Sequence, residues 1–199
     1  MKIALISQKI IKDKYNQTNF SLEDKWINFF EKKEIILVPI FSKQKNIDSY
    51  FKKLKPSCVI ISGGSNNIFD SSQENILRRK IDSKLLNISI KKKIPILAVC
   101  YGFQYVAKLL GGKVIKSKKE LQKNHYIYID KRRIKVNSFH NYSVKELPKH
   151  FEIIGVHKDG YVEIAYAKKF NILCTMFHPE RKNISQKYVD NLILKFLNL

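Results

Sequence analysis

The chain alternates short, wholly apolar runs with longer segments in which apolar residues return every three or four positions. The runs are "KIALIS" (2–7), "EIILVPI" (34–40), "SCVIIS" (57–62) and "PILAV" (95–99). Each is too short for a helix and is bounded by polar residues, which predicts buried strands. A polar loop follows the first run. In 21–33, Ser21 stands as N-cap and Leu22, Trp26, Phe29 and Phe30 share one helical face. Residues 47–54 space Ile47, Tyr50, Phe51 and Leu54 as a short helix, and 73–92 read as a long basic helix. After residue 100, Val106, Leu109 and Leu110 fall on one face of a helix that Gly111-Gly112 ends. Strands alternating with helices predict a parallel sheet covered on both sides.

Beyond Gly112 the pattern changes. "KVIKS", "HYIYID", "RRIKVNSF", "FEIIGVH", "YVEIAYA" and "NILCTMF" read as strands, with turns at "DKR" and "KDG". A last helix, 183–198, buries Val189, Leu192, Ile193, Phe196 and Leu197. There is no internal repeat or low-complexity linker, and Pro56, Pro95, Pro148 and Pro179 fall at element edges. At 199 residues, one α/β domain spanning 1–199 is the expected organisation.

The formal charge of +21 raises the question of nucleic acid. The excess is spread along the chain and consists of 33 Lys against 5 Arg. Arginine is the usual bidentate reader of bases, so nucleic acid is the weakest of three readings. The others are compositional bias, shared with abundant Ile and Asn, and attraction of a small anion. Three cysteines, Cys58, Cys100 and Cys174, offer no CxxC pair and no zinc spacing. No metal or cofactor is expected. The N-terminal apolar run is too short for a signal peptide, and no run approaches the length of a membrane span. The expectation is a reduced, cytoplasmic chain with no membrane partner and an open oligomeric state.

Cys58 and Cys174 lie within apolar strands and read as core. Cys100 differs. It sits where a strand turns sharply into a helix in "AVCYGFQ", at the positive helix end, which favours thiolate. Sites in parallel sheets gather at the carboxyl ends of strands. Three further segments end strands there. "FHPER" (177–181) supplies His178 as a base and Glu180 to orient it. "ISGGSNN" (61–67) supplies Gly63 and Gly64, and the amides of Gly64 and Tyr101 would form an oxyanion hole. "VNSFHNYS" (136–143) adds Asn137, Ser138 and His140, which serve a turn or a pocket. Glu163, in "DGYVE", is either a pocket carboxylate for a substrate amino group or a solvent-facing one.

In the order "SGG", "AVCYGFQ" and "HPE", the sequence resembles the class I glutamine amidotransferase superfamily, the Cys-His-Glu group that includes gamma-glutamyl hydrolases. The resemblance covers essentially the whole chain. It implies a flavodoxin-like three-layer sandwich with a mainly parallel central sheet. It also implies Cys100 as nucleophile, His178 as base and Glu180 as orienting acid. Gln104 and the backbone around Ser138-Phe139 would contact the glutamyl group. Two residues depart from the pattern: Ala98 stands where Gly is usual, and Tyr101 where Arg is frequent.

"NFSLEDKWINFFEK", "IISGGSNNI", "VNSFHNYSV" and "KDGYVEIAY" resemble, more narrowly, a stand-alone subfamily associated with surface-sugar gene sets. That resemblance implies hydrolysis of a gamma-glutamyl group from a cytidine diphosphate-linked nitrogen, so the partner is a small nucleotide-linked gamma-glutamyl substrate. The basic segment 116–135, with Tyr126 and Tyr128, then either meets phosphates or cytosine or forms a solvated hairpin. Two rivals stand beside this reading: a glutaminase subunit feeding ammonia to a synthetase, and a non-catalytic anion- or RNA-binding module.

Overall fold

The apolar runs form the parallel half of a mixed sheet. The computed structural model describes residues 2–41, 46–64, 68–117 and 124–199. The parallel strands are β1 (Lys2–Ser7), β4 (Ile35–Ile40), β5 (Cys58–Ile61), β6 (Ile96–Val99) and β13 (Ile172–Thr175). They lie side by side in the order β4-β1-β5-β6-β13. Burial of β5, β6 and β13 at every residue explains why their sequences show no polar alternation.

The sheet continues beyond β13 through antiparallel strands. These are β12 (Val162–Ala167), β11 (Glu152–His157), β8 (His125–Ile129) and β9 (Arg132–Val136). β10 (Tyr142–Glu146) pairs both β12 and β7 (Lys113–Lys116). In β8, buried His125, Ile127 and Ile129 alternate with outward Tyr126 and Tyr128.

Helices cover both faces. α2 (Ile47–Leu54), α3 (Gln73–Lys91) and α4 (Tyr101–Leu109) pack one apolar core through Phe51, Leu85, Phe103 and Val106. α1 (Lys25–Glu31) and α5 (Gln186–Leu197) pack the other through Trp26, Phe30, Val189 and Ile193. The result is the expected flavodoxin-like three-layer α/β sandwich. No described helix is long and apolar enough to cross a membrane.

Four details differ from the sequence reading. The polar loop after β1 contains a hairpin, β2 (Lys9–Lys12) with β3 (Thr18–Ser21). Ser21 therefore ends a strand, and α1 begins at Lys25 with Asp24 as N-cap. β10 emerges from what reads as a polar turn; its Val144 is anchored against Val114 and Val162. Leu109 leaves the face of Val106 and is 54 % exposed.

Parallel register brings three strand ends together. Ile61 pairs with Ala98, and Val99 pairs with Thr175. The segments that leave these ends hold Gly63, Cys100 and His178.

Candidate active site

Cys100 lies between β6 and α4, with φ of +50° and ψ of −103°. A non-glycine residue in that region carries strain of about 1–3 kcal/mol, tolerated where the surroundings fix it. Here they do: the Cys100 N–H donates to the Thr175 carbonyl at 2.8 Å, and the Cys100 carbonyl accepts from Gln104 N–H at 3.0 Å. The turn also needs Gly102, where a Cβ would stand 2.1 Å from the Ile61 carbonyl oxygen. Ala98, the departure from the family's glycine, is wholly buried in β6.

His178 leaves the segment after β13. Its Nδ1 lies 2.6 Å from Oε1 of Glu180, and its ring and the Cys100 side chain both flank Gly63 in one cleft. Burial alone would lower the imidazole pKa. Interaction with Cys100 and Glu180 outweighs burial and raises it to about 10. Its surroundings therefore favour the protonated ring. By contrast, burial pushes the Cys58 thiol up to about 12 and the Cys174 thiol higher still.

The other expected residues separate into three groups. Gly63, Gly64 and Phe139 line the cleft of about 450 Å³ that holds Cys100, His178 and Glu180. Gly63 is required there, since a Cβ would lie 2.7 Å from Cε1 of His178. Phe139 sets its ring edge against His178, centroids 5.9 Å apart.

Asn137 forms a second group, as a holder. Its Oδ1 accepts from the His178 N–H and its Nδ2 donates to the His178 carbonyl, both at 2.8 Å. Asn183 also donates to that carbonyl, at 3.0 Å. Both ends of the Asn137 amide thus act on main chain rather than in the cleft.

The third group lies behind the cleft. Buried Gln104 donates from Nε2 to the Tyr142 carbonyl at 3.1 Å. The Tyr101 side chain is buried beneath the Arg78 guanidinium, 5.0 Å from its ring centroid. Ser138 is buried beside Asn137. Glu163, at 0 % exposure, is neither solvent-facing nor a cleft residue. It lies 3.4 Å from Nε2 of His125 and 4.0 Å from Nε2 of His140. His140 in turn meets the Ser117 hydroxyl through Nδ1 at 3.3 Å. Burial lowers the His140 pKa.

Seven cleft residues are not among the site residues expected from sequence: Lys9, Ser21, Leu22, Glu23, Trp26, Ser62 and Arg181. Lys9 sits on the hairpin that reads as a loop, whereas Ser21, Leu22, Glu23 and Trp26 fall in 21–33, which reads as a helix, so the pattern held no signal of a cleft there. Glu23 Oε atoms accept three hydrogen bonds from Arg181, at 2.6, 2.8 and 2.9 Å. Glu23, His178 and Glu180 offer metal-ligand atoms within 4.8 Å of one another. Their carboxylates are already engaged by Arg181 and His178, which opposes that use. Tyr126 and Tyr128 line a separate cleft with Arg133, whose guanidinium lies 3.7 Å from the Tyr126 ring centroid. Residues 118–123 of the basic segment lie outside the described residues.

The chain is 30% identical to the gamma-glutamyl-CDP-amidate hydrolase of Campylobacter jejuni subsp. jejuni over 190 residues, covering 92% of each. It is 29% identical to the glutamine-hydrolyzing GMP synthase of Brachyspira hyodysenteriae over 66% of this chain and 26% of that one. In fold it is similar to a putative GMP synthase subunit of Thermoplasma acidophilum, with a TM-score of 0.71, 20% identity, and coverage of 100% of this chain and 93% of that one. It is also similar to a glutamine amidotransferase of Thermotoga maritima, with a TM-score of 0.67, 17% identity, and coverage of 98% and 82%. The family model for glutamine amidotransferase class-I matches residues 10–196, and the chain belongs to that family.

Proposed function

We propose that this chain is a cysteine-dependent gamma-glutamyl hydrolase. Its substrate carries the glutamyl group on a nucleotide-linked nitrogen, as in gamma-glutamyl-CDP-amidate, and the products are glutamate and cytidine diphosphoramidate. In this reading the Cys100 thiolate attacks the gamma-carbonyl carbon, and the amides of Gly64 and Tyr101 hold the oxyanion. The His178 imidazolium protonates the departing nitrogen as the C–N bond breaks, leaving a gamma-glutamyl thioester. His178, now neutral, takes a proton from water as its oxygen attacks the thioester. Glutamate leaves, and the thiolate–imidazolium pair is restored. Glu180 fixes the ring through Nδ1.

The observation that carries this reading is the placement of Cys100 and the hydrogen-bonded His178–Glu180 pair together on one glycine-walled cleft. Similarity to the Campylobacter jejuni hydrolase along 92% of both chains supports the leaving group. A second reading, a glutaminase that serves a synthetase, is favoured by the similarity to GMP synthase, of which this chain spans about a quarter.

One experiment separates them. The isolated chain is incubated with a panel of gamma-glutamyl amides, nucleotide-linked ones included, and products are followed by mass. Brisk release of glutamate from the nucleotide-linked substrate, weak turnover of glutamine, and loss of both in Cys100→Ser support the hydrolase. Turnover of glutamine alone, rising with a partner protein, favours the glutaminase. Normal turnover by Cys100→Ser ends both.

A further inference from the structure

Part of the cleft is lined by residues that the reaction above leaves unused. Lys9 opens β2, Glu23 lies between β3 and α1, and Arg181 directly follows Glu180. The Arg181 guanidinium is held from two sides. Glu23 binds its Nε and Nη2, and the Phe139 ring centroid lies 4.3 Å from its central carbon. Phe139 also touches the His178 ring and is 57 % exposed. Arg181 is therefore a fixed cation one aromatic ring away from the catalytic imidazole. The carboxylates in the lining, Glu23 and Glu180, are engaged by Arg181 and His178. Lys9 adds positive charge, with no ion pair to a carboxylate among the described residues that line the cleft.

We propose that Lys9 and Arg181 form an anion subsite for the leaving half of the substrate. Phe139 is the apolar platform beside it, and Glu23 is the residue that positions Arg181. The ligand class is a phosphoryl group bonded to the scissile nitrogen. This rests on the hydrolase reading.

The chemistry dictates the placement. His178 must protonate the leaving nitrogen, so that nitrogen sits at the imidazole. In a phosphoramide the phosphorus is the next atom, and its charged oxygens lie one bond further. The cation packed over the ring that touches His178 is the group they meet. The Nη1 nitrogen of Arg181 takes no part in the bonds to Glu23. A planar guanidinium suits two phosphoryl oxygens, whereas Lys9 acts as a point charge.

The test compares two substrates with the same acyl half. One is a nucleotide-linked gamma-glutamyl phosphoramide; the other is gamma-glutamyl-p-nitroanilide, whose leaving group is neutral. The quantity read is the ratio of their kcat/KM values. A charge-assisted hydrogen bond is worth about 1.5–3 kcal/mol, roughly tenfold or more. Lys9→Met and Arg181→Lys should each lower the ratio at least about tenfold, mainly through KM for the phosphoramide. Lys84→Met, on the solvent face of α3, should leave the ratio within about twofold of wild type. Melting temperature and the rate of Cys100 alkylation report whether each variant is folded.

Equal losses on both substrates overturn the subsite, because the residues then serve the glutamyl half or the fold. An unchanged ratio in both variants overturns it as well. If wild type cleaves the anilide but not the phosphoramide, the subsite fails while the cysteine chemistry stands. If wild type cleaves neither, the hydrolase reading fails and takes the subsite with it.

Discussion

At the residue scale, Cys100 was legible because three local signals agree: an apolar strand, a thiol at its end, and a glycine two residues on. Asn137 and Glu163 were not legible. Their side chains end on partners more than twenty residues away, the His178 backbone and two histidines. No spacing rule encodes such a destination. His178 offers a quantitative check. Its raised pKa comes from interaction with Cys100 and Glu180, against burial, which lowers it. In the proposed mechanism the imidazolium is the acid for the leaving nitrogen, so kcat/KM should fall on the alkaline side as the ring deprotonates near pH 10. Glu180→Gln removes one of the raising interactions, and the alkaline limb should move to lower pH. A profile of kcat/KM from neutral to strongly alkaline pH measures the shift. Alkylation of Cys100, followed in parallel, separates loss of the acid from loss of the nucleophile. An unmoved limb in Glu180→Gln would mean that another group sets it.

At the element scale, the parallel half of the sheet could be read directly, because full burial makes its strands uniformly apolar. The hairpin β2–β3 could not. Its "KIIK" and "TNFS" are short, polar-edged and stabilised by pairing with each other and by Ile10 in the core. The loop after β5 depends on another distant element. Arg78 of α3 is fully buried and donates to the Ser62 carbonyl at 2.7 Å, to Ser7 Oγ at 3.0 Å and to Asp82 at 2.7 Å. Desolvation raises the Asp82 pKa. Removing one member of a buried ion pair costs about 3–5 kcal/mol, whereas replacing both with apolar residues is often neutral. Arg78→Met should therefore destabilise the protein by about that amount in denaturant titration. Arg78→Met with Asp82→Leu should recover most of the stability and still turn over slowly, because the Ser62–Gly64 backbone has lost its anchor. Full recovery of kcat in the double variant would show that the guanidinium serves folding only.

At the scale of the whole molecule, the chain's charge is its strongest bulk property and the one least informative about position. The composition gives +21 but cannot say that the hairpin brings Lys9 to the cleft while Lys84 and Lys91, for instance, lie exposed on α3. The distinction has a kinetic consequence. A field made by dispersed lysines acts on approaching anions over distances set by salt, about 30 Å at 0.01 M and about 3 Å at 1 M. It speeds encounter and leaves the chemical step untouched. For the phosphoramide substrate, kcat/KM should therefore fall steeply between those salt concentrations while kcat holds. The neutral anilide should change little over the same range. Lys9→Met should keep most of the long-range salt slope, because one charge of many is gone, while losing the short-range preference. A slope that vanishes in Lys9→Met would instead assign the whole electrostatic effect to the cleft. Identical slopes for the charged and neutral substrates would remove steering altogether and leave the dispersed lysines as a solvating coat.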